Sequence, residues 1–466
     1  MGIYGAINSA VSGLTAQAIA LENISGNVAN SQTTGYKRLD TTFSDLVSGG
    51  GATQGSQVAG TTYATSRATN TIQGDITQVD VDTYMAINGE GYFVVTQAAD
   101  VVDGSTTFAD ETFYTRAGDF ERDQDGYLVN SAGYYLQGFP LDAVTGNPVG
   151  DDPTVIQIDN QPLAASATTQ VDYQANLPRI PNTNDYDGST ASTALLASSV
   201  GAGDVAVANE TDFLNSSISG GSITIYNQNG TAMNVEVRYA KTANAAAGPP
   251  AVNDTWTMYI GSGGDATTAY YDVGDVEFDS TGTLTNMTAG SIGTVNGTSD
   301  GFDIATLTIA GTDATGVGIS FANAGLTQFS LTQYSDPDGA ASSVSLDQDG
   351  YPAGELTGVA VDESGRVIAS YSNSQQRAVF EIPLATFEAE QNLKRVDGAA
   401  FAATTSSGEA DLTGGGQILA NNLELSNADI ADEFSKLIIT QQAYSANSRI
   451  VTSADEMLDD ALNMVR

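Results

Sequence analysis

The sequence predicts a multidomain, mainly β protein whose N- and C-terminal helices pair as a coiled-coil domain, with the other domains nested between them. Three observations carry this. Apolar residues recur at every seventh position at both ends of the 466-residue chain. The residues between are rich in Thr, Ser, Asn, Val and Tyr, with 50 Gly and 11 Pro, which suits short strands and turns. Composition then shifts between about residues 150 and 334, where only Arg179, Arg238 and Lys241 are basic.

The C-terminal helix is expected from Asn427 to Arg466. Ile430, Leu437, Tyr444, Val451, Leu458 and Val465 form an unbroken heptad line. Such a line keeps one stripe facing a partner over many turns. The companion line Phe434, Gln441, Ser448, Asp455 and Leu462 is apolar at its ends and polar in the middle; Ala443, Ile450, Met457 and Met464 widen the face. Ser426 or Asn427 can cap the start, and Asp429 and Asp432 suit its positive pole. At the other end of the chain, Ile7, Leu14, Leu21 and Val28 repeat with the same period. The two ends can pair with each other or with the ends of neighbouring molecules. The plainer alternative is a helical hairpin capping a globular domain.

With 15 basic against 56 acidic residues, the net charge is −41. Such a surface repels nucleic acid and anionic membranes, and neither is expected as a partner. Cys and His are both absent. That removes thiolate chemistry, disulfides, Cys or His metal sites and every imidazole triad. No catalytic residue, cofactor or metal is expected. The first residues lack the basic, long apolar pattern of a secretory signal peptide, and no apolar run is long enough to span a membrane.

In chain order, Asn30 and Gly35 supply the turn chemistry that stops the first helix. The run Ser12-Gly13-Leu14, Leu21, Asn27, Ala29, Asn30, Thr34, Gly35, Tyr36 and Lys37 resembles the N-terminal signature of the flagellar axial proteins, a family of rod, hook and hook-associated subunits. Residues 43–70, with Gly49-Gly50-Gly51 in their middle, read as an extended connector with little core of its own. Residues 84–95 read as strand, tight turn and strand. Asp125-Gly126 signals a hairpin. Residues 222–239 alternate around Asn229-Gly230, and 255–260 form a further strand carrying the only Trp, Trp256. Asp347-Gln348-Asp349-Gly350-Tyr351 repeats residues 123–127; each copy lacks the closing Glu of a calcium loop and reads as a turn. A hairpin follows over 359–373. Gly354, Leu356, Gly365, Tyr371-Ser372-Asn373, Phe387, Leu423-Glu424-Leu425-Ser426-Asn427 and Asp429 are similar to the hook members of that family, as are Gln441, Tyr444 and Asn447. The family often has Gly where this chain has Ser374.

The resemblance implies a nested layout. Residues 1–30 and 427–466 would form the helical domain, and 31–70 with 413–426 the connector. Residues 71–149 with 335–412 would form an inner β domain, and 150–334 an outer inserted one. It also implies a structural subunit that polymerises into a short curved tube, a universal joint passing motor torque to the filament. Implied partners are copies of itself, rod and junction proteins at the two ends of the tube, a cap protein and the flagellar type III export apparatus. The implied location is outside the cell, reached without a cleaved signal peptide. The alternatives are a distal rod or hook-associated subunit, a carbohydrate-binding β adhesin, or an enzyme restricted to carboxylate chemistry such as glycoside hydrolysis.

Overall fold

A computed structural model describes residues 3–46, 61–102, 105–143, 145–246, 253–309, 311–320 and 331–464. The chain is mainly β, with helix α1 (Ile3–Ala29) near one end, a short α2 (Glu210–Ser216) and a long α3 (Ile430–Met464) near the other. It divides into two compact units: Met1–Asn160, Thr357–Ser370 and Gln376–Arg466 in the first, Gln161–Leu356 and Tyr371–Gln375 in the second.

In the first unit α1 and α3 lie antiparallel. Gly13 sits beside Asn447, and the Asn27 amide donates to Glu433. The fully buried positions of α1 are small or polar: Ala10, Gly13, Ala16, Ala20, Asn23 and Asn27, with Ile24. Ile7, Leu14, Leu21 and Val28 are half-buried on the flanks of that stripe. The reason is steric. α1 is covered on two sides, and only short side chains let both neighbours approach: a Cβ on Gly13 would stand 2.7 Å from the Asn447 amide nitrogen.

The second cover is a hairpin of β1 (Leu39–Leu46) and β2 (Thr61–Ala68), paired antiparallel from Leu39–Ala68 to Leu46–Thr61. The expected extended connector with little core of its own thus contains a paired hairpin. Asn23 of α1 donates to the hydroxyls of Thr41 (2.8 Å) and Ser66 (2.9 Å), and Ser12 accepts from the Thr62 amide (3.2 Å). The Thr- and Ser-rich strands therefore bind the helix by side-chain hydrogen bonds, which apolar periodicity does not register. The Gly49–Gly51 run lies outside the described residues.

The remainder of this unit is a large sheet built from both sides of the insertion. Strands 356–361, 366–371 and 376–381 continue through 134–140, 92–102 and 105–115 to 400–402 and 394–396. Strands Met85–Asn88 and Tyr92–Val102 do not pair with each other: the first joins Gln417–Ala420, and Ile76–Gln78 joins Asn422–Glu424. Returning chain is thus laid directly on outgoing chain. Phe120–Arg122 and Leu128–Asn130 form the hairpin expected around Asp125-Gly126.

The second unit packs two six-stranded sheets around Tyr173, Trp256, Met258, Phe278, Phe302 and Val317. Ile218–Tyr226 and Ala232–Ala243 form the expected hairpin. The unit extends beyond residue 334 because Ser342–Gln348 pairs with Gln170–Leu177 in its sheet rather than joining the inner β domain. Tyr371-Ser372-Asn373 also belongs here: the Asn373 amide donates to the Pro352 carbonyl (2.7 Å), and the Ser372 hydroxyl accepts from the Glu355 amide (3.0 Å). Ser374 adopts φ +64°, the left-handed region in which Gly is at ease.

Two outcomes are expected, both read from Trp256 fluorescence, the only Trp in the chain. Ser374→Gly relieves the left-handed strain and should stabilise the second unit by up to about 1 kcal/mol in urea melts. Burial and the neighbouring Asp275 and Asp204 carboxylates raise the Asp272 carboxyl to about 6 from its usual 3.8. A carboxyl that holds its proton more tightly when folded contributes most below pH 4, and the contribution fades as pH rises through 6. Asp272→Asn should flatten that part of the stability–pH profile.

Candidate functional site: the root of the terminal helices

The turn after α1 and the segment before α3 meet at one buried cluster. Glu424 is fully buried and accepts from the Lys37 ammonium (2.5 Å), the Gly74 amide (2.9 Å) and the Arg116 guanidinium (3.3 Å). Lys37 also donates to the Ile72 carbonyl (2.7 Å), and Arg116 to that of Gly89 (2.8 Å). Beside them Glu390 accepts from the Tyr92 hydroxyl (3.0 Å), and the Arg116 guanidinium lies 5.2 Å from the Tyr92 ring. Burial pulls the Lys37 ammonium below its usual range despite the Glu424 partner, and burial pushes the Glu390 carboxyl up. The cluster sets two cations against two carboxylates, and a buried charge is tolerated only where such partners complete it.

The motif residues surround this cluster. Gly35 has φ +67°, its amide donates to the Glu424 carbonyl (2.8 Å), and a Cβ there would stand 2.4 Å from the Ala117 nitrogen. No other residue fits that turn. The Asn30 amide folds back to the Gly26 carbonyl (2.9 Å), closing the end of α1, and Thr34 is half-buried in the loop that follows. Asn27 bridges three segments: it donates to the Leu39 carbonyl (2.9 Å) and Glu433 (3.1 Å), and accepts from the Leu39 amide (2.9 Å) and the Tyr36 hydroxyl (3.3 Å). The Tyr36 ring carries the Arg395 guanidinium 4.2 Å from its centre. Asn427 does not cap α3. It accepts from the Arg38 amide (2.7 Å) and donates to the Ile72 carbonyl (3.0 Å), while Asp429 caps the helix through the Ala431 amide (2.7 Å).

On α3 the line facing α1 is Glu433, Thr440, Asn447 and Ala454, with Leu437, Val451 and Leu458 half-buried beside it. Ile430, Phe434 and Tyr444 are exposed, as are Ile438, Ile439, Ile450 and Met457. Val465 lies outside the described residues. The anticipated seam therefore splits, part of it turned towards α1 and part open to its surroundings. Tyr371, Ser372 and Asn373 lie in the second unit and take no part in the root.

Glu424 falls inside the run Leu423–Asn427 and Arg116 inside the run Tyr114–Phe120, both similar to the family, though neither run assigns the residue a role; Glu390 and Glu433 stand in no such motif. Glu424 had a local signal, an acid between Leu423 and Leu425; Arg116 stood in a strand between Thr115 and Ala117 in a chain with only 15 cations. Glu390 had none.

Four family models match the chain. They are described as flagella basal body rod protein (residues 7–37), flagellar hook protein FlgE/F/G D1 domain (86–172), flagellar basal body protein FlaE D2 domain (203–351) and flagellar basal body rod FlgEFG protein C-terminal (419–464). Among curated relatives, the flagellar hook protein FlgE of Salmonella typhimurium is 31% identical, covering 98% of this chain and 99% of that one. The Escherichia coli protein of the same name is 30% identical over 98% and 100%, and that of Brucella suis 29% over the whole of both. A crystal structure of Helicobacter pylori flagellar hook protein FlgE2 overlaps 73% of this chain and 98% of that chain, with 16% identity and a TM-score of 0.49.

Removing one partner of the buried cluster strands the others. Glu424→Gln should destabilise the first unit by about 3–5 kcal/mol. Arg366→Gln, which breaks an exposed pair with Glu381, should cost no more than about 1 kcal/mol. Guanidinium melts followed by helical circular dichroism distinguish the two.

Proposed function

This chain belongs to the flagellar hook protein family, and from that premise we propose how its ends make it polymerise. It is a structural subunit of the bacterial flagellar hook and part of the flagellum. Full-length similarity to hook proteins favours this over a rod subunit or an adhesin, and no catalytic role is assigned to any residue.

The observation that carries the assembly reading is the apolar face left open on α3. Phe434, Ile438, Ile439, Ile450 and Met457 are all exposed, Ile439 to 66%. Exposed large apolar side chains gathered on one helix point to an interaction site. In the proposal α1 and α3 pair as a coiled coil within each subunit, and the open face of α3 packs on the helices of neighbouring subunits to form the tube. Ile7, Leu14, Leu21, Val28, Leu437, Val451 and Leu458 line the intramolecular seam, while Ile430, Phe434 and Tyr444 serve the intermolecular one. The motif residues from Asn27 to Lys37 hold the root from which both helices rise. The inserted unit makes wetter, weaker contacts, which lets the tube flex as a universal joint. The remaining partners in this reading are rod and junction proteins at its ends, a cap at the growing tip and the flagellar type III export apparatus, which delivers the chain outside the cell without a cleaved signal peptide.

Burying one large aliphatic side chain contributes about 1.5–3 kcal/mol per subunit contact. Ile439→Asp loses that and must also desolvate a carboxylate. The variant should remain a folded monomer by circular dichroism and fail to sediment as tubes at concentrations where the parent does. Tubes from Ile439→Asp at the parental concentration would remove α3 as the intermolecular seam.

A further inference from the structure

We propose that the acidic distal end of α3 in one copy seats in the basic cleft at the root of a second copy, joining subunits head to tail. This rests on the hook-subunit reading and names one contact within it.

The distal end is electrostatically misplaced within its own chain. Asp455, Glu456, Asp459 and Asp460 are exposed on the last turns of α3, and no basic residue stands in its last turn. Acids at the negative pole of a helix are unfavourable, and among the described residues none of the four makes an ion pair. The antiparallel start of α1 lies alongside and offsets only part of this. Met457, exposed between them, offers an apolar and adaptable side chain.

The root holds the complement. A cleft of about 690 Å³ opens between α1, the β1–β2 hairpin and α3, lined by Arg38, Arg67 and Lys436, with Phe43 and Ile72 exposed along it. Arg67 is exposed and makes no ion pair among the described residues. Asp40 and Glu433 share the cleft but are engaged: Asp40 with Arg38 and Lys436, the buried Glu433 with Lys436 and Asn27. The cleft therefore carries three cations against two carboxylates, and Arg67 is the cation that no carboxylate engages among the described residues. In a chain with 15 cations and a net charge of −41, few surfaces can receive an acidic helix end.

A chain cannot satisfy this pairing alone. The 24 residue steps from Lys436 to Asp460 span about 36 Å of helix, so a chain's own tip and cleft lie at opposite ends of the stem. Tip and cleft are different surfaces on identical molecules. Such a heterologous contact can be repeated from copy to copy, and it builds an open filament where its rotation does not close into a ring.

The test is the critical concentration for polymerisation of the full chain, by sedimentation in low salt. Arg67→Glu and Glu456→Arg should each raise it about tenfold, and the two combined in one chain should return it to within about threefold of the parent. Arg366→Glu, the same charge change elsewhere on the first unit, should leave it unchanged. The chain has no cysteine, so Arg67→Cys with Asp460→Cys should give an oxidised ladder of dimers, trimers and higher species in polymer. Parental critical concentrations for both single variants, a double variant no better than either single, or polymer without a ladder would overturn the contact and leave the hook reading standing. A parent that never polymerises would overturn both.

Discussion

The buried charge cluster at Glu424 is the constraint on which the rest of the first unit depends. A carboxylate at the centre of a protein is tolerable only with its cations in place, and these come from far apart in the sequence: Lys37 from the loop after α1, Arg116 from the β sheet. Satisfying Glu424 therefore fixes three segments at once. It sets where α1 ends, where the sheet stands and where α3 begins. The amides of Gly35 and Gly74 and the carbonyls of Ile72 and Gly89 take up further hydrogen bonds of the cluster, while the Arg116 Nε is buried without a partner.

Above that root, the stem is organised by size rather than by hydrophobicity. α1 presents Ala10, Gly13, Ala16 and Ala20 to its covers, and α3 presents Thr440, Asn447 and Ala454. Close approach of backbones replaces the interdigitation of large side chains, and the large side chains are displaced to the margins. This is why the face carrying Ile438 and Ile439 remains open. The buried positions are already filled by residues chosen for their small volume, and the aliphatic ones are left to meet a neighbour.

The sequence made the two terminal helices, the insertion and the hairpins at Asp125-Gly126 and Asn229-Gly230 legible, because each rests on local periodicity or turn chemistry. It also marked Asn27, Gly35, Tyr36 and Lys37, which gather at the root. It missed the hairpin on α1, since Thr41 and Ser66 are held by Asn23 through polar contacts that leave no apolar rhythm. It extended the seam to Phe434 because a heptad count knows period but not which of two adjacent lines a partner will choose. Glu390 and the cap at Asp429, set beside the competing Asn427, are decided by tertiary neighbours that no local pattern encodes. The boundary near residue 356 was hidden for the same reason: Ser342–Gln348 alternates like any strand, and only its pairing with Gln170–Leu177 assigns it.

The pairing of Lys37 with Glu424 joins residues 387 apart in sequence, and this has a consequence for the order in which the molecule can fold. The root stays unformed until nearly the entire chain is present, whichever terminus emerges first. Loop-closure entropy grows only with the logarithm of length, so the thermodynamic penalty is modest, but contacts this remote make for slow formation. The inserted unit shortens the search. Leu163 and Gly354 bridge each other within it, so once it has folded, nearly two hundred residues drop out of the loop. The peripheral part of the sequence thus acts as a tether that brings the two ends within reach, and the adhesive stem is the last element to exist.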